Sequence, residues 1–559
     1  MENKATPTVV PEPSRTVSEK RGLPSSRSSF VFSILAVAFV VLVPIARSAW
    51  EEIDRQIANF GGLACGLLAL LFAQLAVATH RRVPRFLKIA VFAAPVVAVL
   101  GFLANYEFAG FSGEVWPTFR ARGSAGRPKD NFVVGSSSSD EQTIDPAIRL
   151  FRFSQFLGNR RDGTVDSPEF AMDWAQRSPK VAWRREIGEG WSGFAVANGL
   201  AFTLFQRGES EVLSAWYLET GRTAWEHEIP GRHSNPLGGT GPRSTPTVAS
   251  LSTGEVVIAQ TALGIVVCLD CETGVPRWEL NLLQRAGINQ IESEQNVMWG
   301  RSGSPLVVDD MAIIPFGGSK SNSSTIHSLI SVDLATGEDR WLGGQTQISY
   351  ASPALLTIEG ERQIVSVNEG NITGHNVATG KVLWESSWPS KSNGDACASQ
   401  PVQVDNNKIL IGKGYGLGSK LIELRRNRKS DVEDNSVWEA LDVWSNTRML
   451  KTKFTSAVMF EGKAYALSDG ILECVDPMTG ARLWRGPRYG QGQLLIVNGE
   501  ILVSAEDGRI ASVNRSNGKP VLEVKVLEGI TWNTPAVAGP FLLVRNGTEA
   551  VCLKSSAGD

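Results

Sequence analysis

Few groups in this 559-residue chain have types and spacings that could support chemistry. Cys268-x-x-Cys271 has the spacing of half a zinc or redox site, and Asp309-Asp310 could share a proton as a carboxylate pair. The five histidines, His80, His227, His233, His327 and His375, could act as ligands or bases, but they are scattered along the chain. No Ser-His-Asp constellation, adjacent cysteine pair or haem-attachment Cys-x-x-Cys-His can be assembled from the sequence. We therefore assign no catalytic residue and no metal site.

The elements that position these groups explain why. From Lys180 onward an apolar strand, a turn ending in Thr-Gly and a short strand holding tryptophan recur. Copies run Leu269-Asp270-Cys271-Glu272-Thr273-Gly274 to Trp278, Val332–Gly337 to Trp341, His375–Gly380 to Trp384 and Val475–Gly480 to Trp484. Tyr217–Gly221 to Trp225 opens the series, and Val513–Gly518 ends at Leu522 where tryptophan is expected. Trp438 is read as a copy whose turn is replaced by the polar insert Arg425–Asn435, and Trp183 as an outer strand without a turn. Asp or Asn in such a turn bonds backbone amides further along, and glycine supplies the positive φ. The column recurs every 38 to 63 residues, which brackets a four-stranded propeller blade. In this register Cys268, Cys474 and Cys552 occupy one repeated small-residue position, so Cys268 and Cys271 are packing residues. Asp309-Asp310 falls at the turn after an inner strand. Six cysteines in so long a chain make no disulfide framework, and no structural disulfide is expected.

Upstream of each turn a small residue precedes proline: Thr245-Pro246, Ser304-Pro305, Ser352-Pro353, Gln400-Pro401 and Thr534-Pro535, with Thr455-Ser456-Ala457 as a copy lacking proline. These positions open the innermost strand, where crowding near the axis favours small side chains. The loops before them face the channel mouth. They carry Trp191, Arg243, Trp299, Arg301, Tyr350, Gln493 and Trp532, the candidate binding residues of an aromatic, partly cationic pocket for a planar or anionic ligand or an extended peptide.

Three apolar stretches, Ser29–Ala46, Phe60–Ala78 and Phe86–Leu103, are each long enough to cross a bilayer. The first exceeds a signal-peptide core, Arg47-Ser48-Ala49 is a poor cleavage site, and Cys65 precedes its apolar run where a lipid-attachment cysteine would end it. Basic residues crowd the leading segment and the second gap (Arg81, Arg82, Arg85, Lys88), so both are expected on the cytoplasmic side of the inner membrane. The expected organisation is a cytoplasmic tail (1–28), three transmembrane helices (29–104), a linker with a short helix in Asp145–Leu157 (105–179) and an exported domain (180–559). Gly123–Gly126 and Gly135–Asp140 read as a flexible tether. A net charge of −2 and pI near 6.3 exclude a basic field for nucleic acid.

The Asp-x-x-Thr-Gly-x-x-x-Trp turn resembles the repeat of pyrroloquinoline quinone (PQQ) dehydrogenases and of BamB-like propellers. With Trp116-Pro117-x-Phe119-Arg120, Gly188-x-Gly190-Trp191-Ser192, Gly239-x-Gly241-Pro242-Arg243, Arg488–Gln493 and Thr531-Trp532-Asn533-x-Pro535, it is similar to the membrane-anchored quinone-repeat propellers of planctomycete-type bacteria. The resemblance implies an all-β, quinoprotein dehydrogenase-like propeller. The outer strands at Trp225, Trp278, Trp341, Trp384, Trp438, Trp484 and Leu522 count seven blades, and the strands left over at the two ends make an eighth, so an eight-bladed ring is expected, closed by residues 181–187 pairing beside 549–553. With no adjacent cysteine pair to pack on a quinone, the expected role is a non-catalytic scaffold for a protein or peptide, without cofactor. The alternative is a PQQ-dependent dehydrogenase holding PQQ over the channel with Ca²⁺.

Overall fold

A computed structural model describes residues 25–51, 55–122, 144–390, 392, 395–428 and 436–555. The segments read as a flexible tether lie outside these residues. The chain divides into two compact units. The first holds most of helices α1 (Ser25–Glu51) and α2 (Arg55–Thr79), residues 49–59 being grouped with the second unit, and all of α3 (Arg85–Asn105); all three helices are long and apolar enough to cross a membrane. Within it, Phe39 stacks on Phe72 at 5.5 Å, and Ser29 Oγ donates to the Ala76 carbonyl oxygen at 2.9 Å.

The second unit is a β-propeller. Its described residues include eight antiparallel four-stranded sheets, one of them extended by a fifth strand. In chain order their inner strands are Ala195–Ala197, Thr247–Leu251, Leu306–Val308, Ala354–Ile358, Val402–Gln403, Val458–Phe460, Gln493–Val497 and Ala536–Ala538. We number the sheets first to eighth accordingly. The fourth strand of the eighth sheet is Lys180–Glu186, paired with Glu549–Lys554 through Cys552↔Trp183 and Glu549↔Glu186.

The repeated turn works as its residues dictate. Asp270 Oδ1 accepts from the Glu272 and Thr273 amides, and Asp333 and Asn376 do the same in their turns. In the eighth, first, second and third sheets the tryptophan docks through Nε1 on the turn of the following sheet. Trp183 Nε1 donates to the Leu218 carbonyl, Trp225 to Cys271, Trp278 to Leu334 and Trp341 to Val377, at 2.8–3.1 Å. The turn glycines lie under these indoles: at Gly274, φ +70, a Cβ would meet Trp225 Cδ2 at 2.6 Å. Across the strand pair, Trp278, Trp341 and Trp484 face the small residues Cys268, Ser331 and Cys474.

In the fifth sheet the structure corrects the sequence reading. Trp444, not Trp438, holds the repeated position: it pairs with Leu421 at the recurrent bulge, its Nε1 donates to the Pro477 carbonyl at 3.0 Å, and Gly480 lies under its ring. Trp438 lies earlier in the same strand, Ser436–Asn446, and is buried with Trp384. A long hairpin replaces the Thr-Gly turn in this sheet, so Trp384 has no turn to dock on and donates instead to Gln363 Oε1 at 2.7 Å. The same logic explains Leu522. The sheet that follows it has no turn between its outer strands, which are separate chain segments, and Leu522 packs on the cluster holding Phe170 and Trp174.

The small residues before the inner strands form a hydroxyl belt. The Gly193 amide donates to Thr245 Oγ1, Thr245 N to Ser304 Oγ, Ser304 N to Ser352 Oγ and Gln400 N to Ser456 Oγ, at 2.9–3.2 Å. Small size admits these residues to the axis, and the hydroxyl ties one sheet to the next.

Residues 144–179 are packed into the propeller, and only Pro146–Arg149 within them is helical. Phe153 bridges Val196, and Thr164–Val165 adds a parallel strand to the seventh sheet. Arg161, buried at the axis, donates to the carbonyls of Ser304, Pro305 and Pro353 at 2.7–3.0 Å. The segment closes the axis on the side of the turns that follow the inner strands.

Candidate binding groove at the channel mouth

At the opposite end, the loops before the inner strands bring most of the sequence-selected residues together. Trp191 and Trp532 lie 4.6 Å apart, Phe454 joins Trp532 at 5.1 Å, and Trp299 meets Tyr350 at 5.0 Å. The Gly238-Gly239 backbone links the two groups. Trp191 Nε1 donates to the Gly238 carbonyl at 2.8 Å, and a Cβ at Gly238 would meet both Trp299 and Arg243.

The polar members have chiefly internal partners. Arg243 donates to the carbonyls of Gly238 and Gly241, Arg301 to that of Phe316 at 2.6 Å, and Gln493 Nε2 to those of Phe454 and Trp532. Arg301 and Gln493 are buried; Arg301 bonds the second strand of its own sheet, and Gln493 joins the loops on either side of it. Burial holds both guanidiniums down at about 10, and pushes the Tyr350 hydroxyl up to about 12. Arg545, held down at about 9 by burial, likewise donates to the Leu204 carbonyl at 2.7 Å and the Gly188 carbonyl at 3.1 Å.

Beside Trp191 and Trp532 opens a groove of 1390 Å³ over the seventh, eighth and first sheets. Its apolar wall includes Phe111, Phe119, Leu237 and Ile530; Arg488, Arg509, Glu189 and Glu528 supply both signs of charge. One wall is a hairpin, Tyr106–Phe111 paired with Pro117–Ala121. Glu506 organises this edge: it accepts from the Gly113 amide, from Gln491 N at 3.0 Å and from Trp532 Nε1 at 2.8 Å. Glu114 pairs with Arg488. Sequence reasoning missed Glu506 because it follows the second strand of its sheet, outside the loops that precede inner strands, and belongs to no motif.

The other candidates separate. Cys268 and Cys271 are buried in different apolar clusters, and burial pushes the Cys268 thiol up to about 12. Asp309 and Asp310 form a turn and pair outward with different arginines, Arg362 and Arg340. His375 bonds its own turn at Gly380, and His327 the Gly344 carbonyl.

The residues at the axis do not fit a quinone with Ca²⁺, an ion that takes six to eight oxygen ligands. Arg161 already occupies the axial carbonyls, and the carboxylates near the mouth are engaged: Glu211 by the Ala262 amide, Asp395 by Lys413, Asp469 by Lys451, and Glu506 as described. Among the described residues no three His, Cys, Asp or Glu side chains gather as a metal site.

Comparison with known proteins places this architecture. A family model described as outer membrane protein assembly factor BamB matches residues 171–341, 241–485 and 468–557. The chain is 22% identical over 361 residues to the outer membrane protein assembly factor BamB of Shewanella oneidensis, covering 60% of this chain and 78% of that protein. Among solved structures it is similar to BamB from Moraxella catarrhalis, at 15% identity, TM-score 0.47 and coverage of 67% of this chain and 99% of that one. It is also similar to a europium-containing methanol dehydrogenase, at 12% identity, TM-score 0.50 and coverage of 72% and 90%.

Proposed function

The chain belongs to the family described as outer membrane protein assembly factor BamB, and from that premise we propose that it is a membrane-tethered, non-catalytic scaffold that holds a polypeptide partner at the mouth groove. In this reading the eight sheets are eight blades of one ring, closed where Lys180–Glu186 pairs with Glu549–Lys554. The domain from residue 180 stands on the far side of the inner membrane, carried there by three crossings with the N-terminus and the basic second gap inside.

The observation that carries the proposal is the groove: large, apolar on its walls, charged in both signs at its rim and bordered by a hairpin edge. Such a surface suits an extended peptide, whose backbone can pair along a strand edge while its side chains enter alternate pockets. The name of the relatives, which denotes outer membrane protein assembly, favours a protein occupant. Axial carbonyls held by Arg161 and carboxylates already engaged support a scaffold without PQQ or Ca²⁺.

Two measurements test the reading. Full-length protein incubated with PQQ and Ca²⁺ is expected to show neither quinone retention nor alcohol oxidation; turnover that is lost with chelator would make it a dehydrogenase. A photo-crosslinker at Leu237 is expected to give protein adducts in native membranes, while one at Leu483, on the outer rim, does not. Phosphatase fusions at Gly110 and Pro84 check the topology, the first expected active and the second inactive.

A further inference from the structure

The hairpin Tyr106–Ala121 does more than wall the groove. The apolar helix α3 ends at Asn105, and the first hairpin strand begins at the next residue, with no linker between. Phe108, three residues on, can stand at most ~10 Å from the helix end, at ~3.4 Å per extended residue. The interfacial layer of a bilayer is on the order of 5–8 Å deep on each side. Yet Tyr106, Phe108 and Trp116 are exposed, and none of the three lines the groove. Phe108 is braced by edge-on contacts with Phe111 at 5.1 Å and Phe119 at 6.0 Å, so its exposed ring is fixed. Tyr and Trp are the residues that favour the headgroup level, with an apolar ring and a polar tip, and a neighbouring ion pair, Glu107 with Arg120, suits the same boundary.

We propose that this hairpin is a membrane-interfacial element, lying along the bilayer surface with Tyr106, Phe108 and Trp116 among the lipid headgroups. The occupant of its aromatic surface is lipid. Gly113 and Glu114 at its tip are held by Glu506 and Arg488, so the hairpin keeps its place on the propeller. The inference rests on the membrane-tethered reading above.

The test uses full-length protein in vesicles of radiolabelled phosphatidylethanolamine and phosphatidylglycerol, with a benzophenone side chain placed at one position at a time. Positions 108 and 116 are expected to give a several-fold excess of lipid adduct over Val181 and Leu483, which are exposed to similar degrees on outer strands. Position 97, exposed on α3, reports membrane insertion itself. Lipid adducts at 97 with none at 108 or 116 overturn the interfacial hairpin alone; no adduct at 97 overturns the tethered reading. Adducts at 108 without 116, or protein adducts at both, also overturn the proposal.

Discussion

Trp183 Nε1 donates to the Leu218 carbonyl oxygen at 2.8 Å, so the strand that opens the domain is fixed to the first sheet while its backbone completes the eighth. The indole thus joins the two sheets, alongside Arg545, whose guanidinium donates to the Leu204 carbonyl. Trp183 also meets Trp216 edge-on at 6.0 Å.

Truncation after Gly547 is therefore expected to do far more than shorten a tail. It deletes the strand that, among the described residues, pairs with Lys180–Glu186 in its sheet, and removes the buried side chains of Ala550, Val551, Cys552 and Leu553. An unpaired edge and an opened core should give aggregation and rapid proteolysis. A soluble product that unfolds cooperatively, by circular dichroism, would contradict this.

Two glycines separate backbone strain from docking. Gly208 has φ +57 with open space where a Cβ would stand; Gly274 has φ +70 with Trp225 at 2.6 Å. Gly208→Ala should cost roughly 1–2 kcal/mol from the left-handed backbone alone. Gly274→Ala should cost roughly 1–3 kcal/mol more, the penalty of overpacking the indole. Denaturant midpoints of the two variants measure the difference, and equal values would mean that the indole moves aside freely.

The repeat was legible because each of its residues has one local job that leaves a periodic trace: Asp or Asn for the turn, glycine for φ, tryptophan for the next turn. Trp438 misled because Trp444 lies on the same strand and the turn that would have set the register is absent. Residues 144–179 look like a linker since their hold on the propeller runs through backbone carbonyls, as at Arg161, which leaves no pattern in the chain. The aromatic mouth could be foreseen from its loop positions. Its internal wiring through Gly238, Gln493 and Glu506 could not, because those hydrogen bonds join loops distant in sequence.

Replacing Glu506 by Gln tests that wiring. The carboxylate serves only donors, and an amide nitrogen in place of one oxygen cannot accept, so roughly 1–3 kcal/mol should be lost locally. The expected readout is faster hydrogen exchange at the Gly113 and Gln491 amides with the rest of the propeller unchanged. Unaltered protection at both would show that the hairpin is held by other contacts.

Beneath the mouth two buried groups give stability a pH dependence. Burial pushes the Glu211 carboxyl up to about 8, against the pull of the Ala262 amide and Arg243, so its contribution is full below pH 4.5 and is lost as pH rises through 8. Burial, then the charge of Arg243, holds His233 down at about 4; its contribution is present above pH 6.5 and lost as pH falls through 4. Glu211→Gln should therefore gain stability relative to the parent between pH 5 and 8, by at most roughly 5 kcal/mol. His233→Asn should gain between pH 6.5 and 4, by at most roughly 3 kcal/mol. Thermal midpoints across pH 4–9 read both, and parallel profiles would sink the assignment.

Arg184 and Glu549, ion-paired across the eighth sheet, are 365 residues apart in the chain. During synthesis at ~5–20 residues per second, the first strand waits roughly 20–70 s for its partner. Until Glu549–Lys554 has been synthesised, a nascent chain carries seven sheets and an unmatched ribbon, so the eighth sheet gains its cohesion late and in one step. Termination before that strand yields a product whose opening strand can only pair with a stranger, which makes quality control of this fold a question of whether one late strand was made.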